Sequence, residues 1–215
     1  MAMPVQIAAL PKSAERREAV LLYAELRGFA RMSDLLDPPL ALLLASDFFA
    51  LAAAAASANG GEIVSLHNDT ALAAFGAGKP SQCAPQAVLA AQHIQRESGA
   101  LAEKWRNAYG LRVAVAQGLH LGETVLGHAG PRGLEQRIAL GDSVTVAHHL
   151  VRRARAGEIV MSDSVMGALS VENLDLDAEP LPPLEIGKRP PIRIYGVLLD
   201  ARLDFTAELK PELKL

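Results

Sequence analysis

Cysteine is almost absent from this 215-residue chain, where Cys83 stands alone. A single cysteine excludes an internal disulfide and fits a reducing compartment, so a cytoplasmic location is expected. Positive charge is not in excess either: 21 Lys and Arg face 24 Asp and Glu, a formal net charge of −3. No sequence-wide basic balance attracts nucleic acid or an anionic membrane, and neither is expected as a partner. The first ten residues, MAMPVQIAAL, lack the basic start and long apolar run of a secretory signal. The one long apolar stretch, Leu40 to Ala58, is interrupted by Ser46 and Asp47. A charge at bilayer depth costs at least ~2.5 kcal/mol, so the stretch is expected to be a buried or interface-packed soluble helix. Neither HExxH nor CxxC occurs, which leaves His67, His120, His128, His148 and His149 without the spacing of a zinc site. Apart from the alanine run there is no repeat or low-complexity segment.

What is present suits one domain with short tails: half of the residues are hydrophobic and 21% are charged. The stretch around which the chain is organised is GGEIVSLHNDTALAAFG, Gly60 to Gly76. Asn68 and Asp69 tolerate the left-handed backbone of a tight turn, so it reads as strand, turn, strand. Before it, EAVLLYAEL (Glu18 to Leu26) is short and apolar enough for a central strand, broken at Arg27-Gly28-Phe29. Asp37-Pro38-Pro39 is a helix start, with Asp as the cap and Pro in the first turn. Cys83 to Arg106 predicts a second helix. Leu111 to Leu121 alternates as a strand with one buried face, Gly122-Glu123 allows a hairpin, and Thr124 to Leu126 returns. Asp142 or Ser143 is placed to cap a third helix running to Arg155, with Val146, Ala147, Leu150, Val151 and Ala154 on its apolar face. GEIVM is a short strand, and late strands flank the Pro-rich LPPLEIGKRPP. This order predicts an α+β layer with a mainly antiparallel sheet and helices on one face. The domain is expected over 18–200, after a lead-in at 1–17 and before a tail at 201–215.

Several phrases, in order, resemble the class III adenylate/guanylate cyclase catalytic domain: YAELRGFA, GGEIVSLHND, GLHLGETVLGHAG, GDSVTVAHHL and GEIVMSD. The resemblance spans Glu18 to Leu199. It implies a ferredoxin-like βαββαβ core with additional C-terminal strands, paired head to tail with a second domain so that active sites form between them. There, two Mg²⁺ or Mn²⁺ ions activate the ribose 3′-hydroxyl of a nucleoside triphosphate, which cyclises with release of pyrophosphate.

Carried over position by position, the resemblance places the two metal aspartates on Glu25 and Asp69. Glu keeps the hard oxygens Mg²⁺ requires but reaches one methylene further. The phosphate loop falls on Gly28 and Phe29. The purine-reading lysine falls on Ser65 and its partner on Ile138, which removes the polar pair that would discriminate a base. The transition-state asparagine falls on Thr145 and the arginine on His149, four residues apart on one helix face. Neutral histidine does not replace a forked, permanently charged guanidinium. Lys188 and Arg189 occupy the late loop that carries a triphosphate-binding lysine.

The expectation is therefore a dimerising or regulatory cyclase-homology domain of cyclic-nucleotide signalling, catalytically impaired, with weakened nucleotide and Mg²⁺ or Mn²⁺ binding. A homodimer, or a heterodimer with an intact cyclase, is expected. Two alternatives stand beside it. One is an active nucleotidyl cyclase, most readily as the metal-binding half of a heterodimer; the other is a module for a non-purine ligand.

Overall fold

Strand β1 (Glu15–Arg27) runs through the middle of the molecule because both of its faces are apolar. The computed structural model describes residues 14–198 apart from 132 and 175. The expected tail at 201–215 lies outside the described residues, as does most of the lead-in. After β1 come α1 (Phe29–Leu35), α2 (Pro38–Ala58), β2 (Glu62–His67), β3 (Thr70–Phe75) and α3 (Pro80–Tyr109). The chain continues through β4 (Ala114–Ala129), β5 (Gln136–Leu140), α4 (Asp142–Arg153), β6 (Glu158–Ser162), α5 (Asp163–Val171), β7 (Glu179–Leu184) and β8 (Ile192–Leu198). The sheet has eight strands in the order β2-β3-β1-β4-β6-β8-β7, with β5 pairing β4 off this path. Among the described residues only β4 and β6 run parallel; the other pairs are antiparallel. This is the expected mixed α+β fold with a mainly antiparallel sheet.

Alternation along β1 sends Val20, Leu22, Ala24 and Leu26 into the main core, with Leu44 and Phe48 of α2, Ile94 of α3 and Val165 of α5. Leu21 and Tyr23 point the other way, toward Ala147 and Val144 of α4. The helices are thus not all on one face: α4 lies across the opposite side of the sheet. α2 is long and apolar enough to cross a membrane by length and composition. Here one face of it packs on the core, burying Leu44, Phe48, Ala52 and Ala55, while Leu42 and Leu43 on the other side are exposed, so the helix is only partly buried. The hairpin turn is also where the sequence puts it, with Asn68 in the left-handed region (φ 49°) between β2 and β3.

The second hairpin differs from its expectation. Gly122 and Glu123 do not turn; they pair with Ala19 and Glu18 of β1 in the middle of one continuous 16-residue strand. The turn comes later, where Gly130 and Gly133 take positive φ, and β5 returns with Val125 opposite Leu140. The glycines of β4 serve packing instead. A Cβ at Gly118 would run into the backbone of Leu150 and Val151, and one at Gly122 into the side chain of Ser143. The strand also begins at Ala114 rather than Leu111, and Val115 to Leu119 are all buried because helices cover both faces.

Helix starts differ in detail. Asp37 and Gly141 hold the N-cap positions of α2 and α4, and neither helix has a side-chain cap. The Asp142 carboxylate is instead taken by Arg189, and the Ser143 hydroxyl donates to the Glu123 carbonyl at 2.7 Å.

Candidate functional site

The period of a strand places Glu25 and Arg27 on the same face of β1, the face that carries α4. Glu25 lies opposite Thr70 of β3 and Ala116 of β4. The Leu26 N–H donates to the Asp69 carbonyl at 2.8 Å, so the β2–β3 tip is stitched to the end of β1. The structure therefore brings together two carboxylate-bearing positions that are 44 residues apart in the chain, Glu25 on β1 and Asp69 in the adjoining turn. Glu25 is well covered, with 15% of its side chain exposed, and it forms an ion pair with Arg27. The other terminal nitrogen of Arg27, Nη2, donates to the carbonyls of Val151 and Ala154 at 2.7 and 3.2 Å. These carbonyls belong to the last turn and C-cap of α4, where backbone acceptors lack helical partners and a cation is favourable.

The α4 positions sit further back. Thr145 is exposed and His149 half-buried, one turn apart. Thr145 precedes Val151 by six residues, about 9 Å along the helix axis. Within one chain, the Glu25–Asp69 end therefore lies by the C-terminal turn of α4, and Thr145 toward its N-terminal half. His148, next to His149, meets the Tyr23 ring with centroids 5.5 Å apart. Burial raises the Tyr23 phenol above its ordinary pKa.

Ser65 is exposed on β2, opposite Leu72 and beside a register shift in that strand. Ile138 is half-buried on β5, opposite Gly127. Their strands are bridged by Glu62 of β2, whose Oε1 accepts from Arg137 of β5 at 2.7 Å and from Arg17 of β1 at 2.8 Å. Gly28 turns the chain with φ 96°, and a Cβ there would come within 2.8 Å of the Arg112 carbonyl. Phe29 opens α1 and packs on the main core. Lys188 is exposed. Arg189 is engaged: both of its terminal nitrogens reach the Asp142 carboxylate, at 2.7 and 2.6 Å.

Two features escape sequence reasoning. Arg27 reads as a turn residue, although its spacing of two from Glu25 is the signal for a same-face pair. His120 reads only as one of the histidines that lack the spacing of a zinc site. Its Nδ1 lies 2.9 Å from the Ser162 hydroxyl, which lies 2.9 Å from that of Ser164. Burial lowers the His120 pKa to about 4; nearby Asp142 opposes this and Arg189 adds to it. No signal in the sequence marks this contact, because β4 and β6 meet through a long crossover.

Divalent ions at this site would need carboxylate oxygens from Glu25 and Asp69. In the single chain one of those carboxylates already carries a guanidinium, and the described residues hold no group of three His, Cys, Asp or Glu close enough to share a metal. The residues do not present a preformed two-metal site.

The fold and this arrangement define the class. Residues 12–195 match the adenylate and guanylate cyclase catalytic domain, and the chain belongs to that family. Among its relatives is an adenylate cyclase of Anabaena cylindrica, 25% identical over 160 residues, which cover 74% of this chain and 32% of that protein. The chain thus spans about a third of the length of that relative. The fold is shared with the adenylyl cyclase CyaB from P. aeruginosa, with a TM-score of 0.80 and 20% identity over 88% of this chain and 97% of that one. It is shared also with the guanylate cyclase domain of RhGC from Catenaria anguillulae, solved in complex with GTP. That pair has a TM-score of 0.73 and 20% identity over 85% and 97% of the two chains.

Proposed function

We propose that this domain is a catalytically impaired member of the cyclase family, acting in the cytoplasm as a dimerising or regulatory partner in cyclic-nucleotide signalling. One observation carries the reading. The α4 face that should grip a reacting phosphate presents exposed Thr145 and half-buried, unforked His149. Thr still donates a hydrogen bond, but an imidazole lacks the forked, permanently charged donor set of a guanidinium. Loss of one preorganised donor costs on the order of 10²–10³ in rate, and losses within one site need not add. Ser65 and Ile138 support the same conclusion for the base, since a site without paired polar groups does not discriminate one. A nucleoside triphosphate remains the ligand class, held weakly, with Mg²⁺ or Mn²⁺ binding weakened in parallel. The test is turnover by the purified chain with each common triphosphate in Mg²⁺ and in Mn²⁺, alongside its mass in solution. A dimer with no cyclic product is the expected result. Brisk product formation by the chain alone would sink the proposal.

A second reading is favoured by the stitching of Asp69 to the end of β1. The positions of Glu25 and Asp69 are held side by side even though the α4 end is altered, so once Arg27 gives way this chain would serve as the metal-binding half of a heterodimer with an intact cyclase. Mixing with such a cyclase should raise product formation, and Asp69→Ala should remove the gain. Addition without effect on any intact partner counts against it.

A further inference from the structure

The Glu25 carboxylate is engaged inside the chain. Its partner is the guanidinium of Arg27, two residues along the same strand face. That guanidinium is held by three acceptors: Glu25 Oε1, the Val151 carbonyl and the Ala154 carbonyl. Neither group is freely solvated, with 15% of the Glu25 side chain exposed and 30% of that of Arg27. Solvent and salt therefore screen the pair less than they screen a surface ion pair. Glutamate also reaches one methylene further than aspartate at this position. A divalent ion claiming Glu25 would have to displace the guanidinium, and displacement would also strip the cap from the end of α4.

We infer that Arg27 is the resident cation of this site: it neutralises Glu25, ties it to the C-terminal end of α4, and leaves Asp69 as the one of the two carboxylates open to a divalent ion. The inference rests on the reading of Glu25 and Asp69 as the metal positions, and it deepens that reading. The site is not an empty two-metal centre but one in which a tethered guanidinium has taken one cation's place. Arg27 is a positioning residue. Its loss uncovers a second oxygen donor and at the same time loosens the helix end.

Direct Mn²⁺ binding tests this. Free Mn²⁺ is followed by electron paramagnetic resonance while the full chain is titrated without nucleotide. The probe is the metal itself and cyclase turnover is not read, so the result stands apart from the activity assay. Glu25→Gln, which leaves the Arg27 charge uncompensated, is expected to weaken Mn²⁺ binding by only a few-fold, whereas Asp69→Asn weakens it by about tenfold or more. Arg27→Gln, whose amide can still donate to the α4 carbonyls, is expected to tighten binding by about tenfold, and adding Glu25→Gln should reverse the gain. Arg27→Met, which keeps only the aliphatic stem, should behave likewise while lowering the melting temperature. If Glu25→Gln weakens wild-type binding as much as Asp69→Asn does, Glu25 is open to metal and the inference is wrong; this arm does not require any Arg27 variant to fold. A folded Arg27→Gln chain with unchanged affinity would also overturn it, and it decides the matter if the wild type binds no Mn²⁺.

Discussion

Arg189 clasps Asp142 through both terminal nitrogens, at 2.7 and 2.6 Å, and so fastens the loop between β7 and β8 to the first turn of α4. The contact removes from Arg189 the freedom that a phosphate-seeking side chain would need and leaves Lys188 as the exposed cation of that loop. The Asp142 side chain is 70% exposed, so the pair is screened by water despite its bidentate geometry. Arg189→Ala is expected to lower stability by only ~0.5 kcal/mol in urea unfolding. The same change should raise hydrogen exchange in the Ile186–Arg189 turn.

The close approach of α4 to β4 should be far less forgiving. A Cβ at Gly118 meets backbone atoms of Leu150 and Val151, which no side-chain rotation can relieve. Gly118→Ala is expected to cost ~3 kcal/mol, read as a melting temperature lower by roughly 10 °C. Gly99→Ala on α3, where nothing lies near the added carbon, should be neutral or slightly stabilising.

His120 gives the fold a pH dependence with a definite sign. Its pKa in the folded chain is lowered by burial to about 4, against 6.5 when free. Between those values the unfolded chain binds the extra proton, so stability is complete above pH 6.5 and is lost as pH falls through about 4. Urea midpoints should fall between pH 7 and pH 5, and His120→Gln should reduce that slope. An unchanged slope would remove His120 from the account.

The proposed impairment is tested by putting asparagine and arginine at the two α4 positions. Thr145→Asn with His149→Arg is expected to bring cyclic-nucleotide formation in Mn²⁺ to about tenfold or more above the detection limit at which the wild-type chain gives none. A double variant that binds triphosphate more tightly without forming product would place the remaining defect at the carboxylate end of the site.

Much of this was legible because local chemistry and tertiary structure agree. Asn68-Asp69 had to turn, Pro38-Pro39 had to open a helix, and the apolar face of α4 repeats at helical spacing. Gly122-Glu123 misled because glycine serves two purposes. It permits turns, and it also permits a helix to lie against a strand, and only the partner's position tells them apart. Asp142 misled for a related reason, since a carboxylate at a helix start is drawn to whichever donor is nearer, and here Arg189 arrives from 47 residues away. That Glu25 and Asp69 lie near one another follows from the strand and hairpin readings; the guanidinium lodged against Glu25 could not be read, because its other anchors are backbone carbonyls on a helix more than 120 residues distant.

The long strand β4 has a further implication. It pairs with β1 along nearly its whole course, and with β5 and β6 over parts of it. Adding one residue near its centre would swap the two faces for everything downstream, putting Leu121 rather than Gly122 against Ser143. Natural relatives of this chain should therefore differ in length at the Gly130–Glu135 bend and almost never between Val115 and Leu126, which makes that segment a fixed ruler for aligning the family.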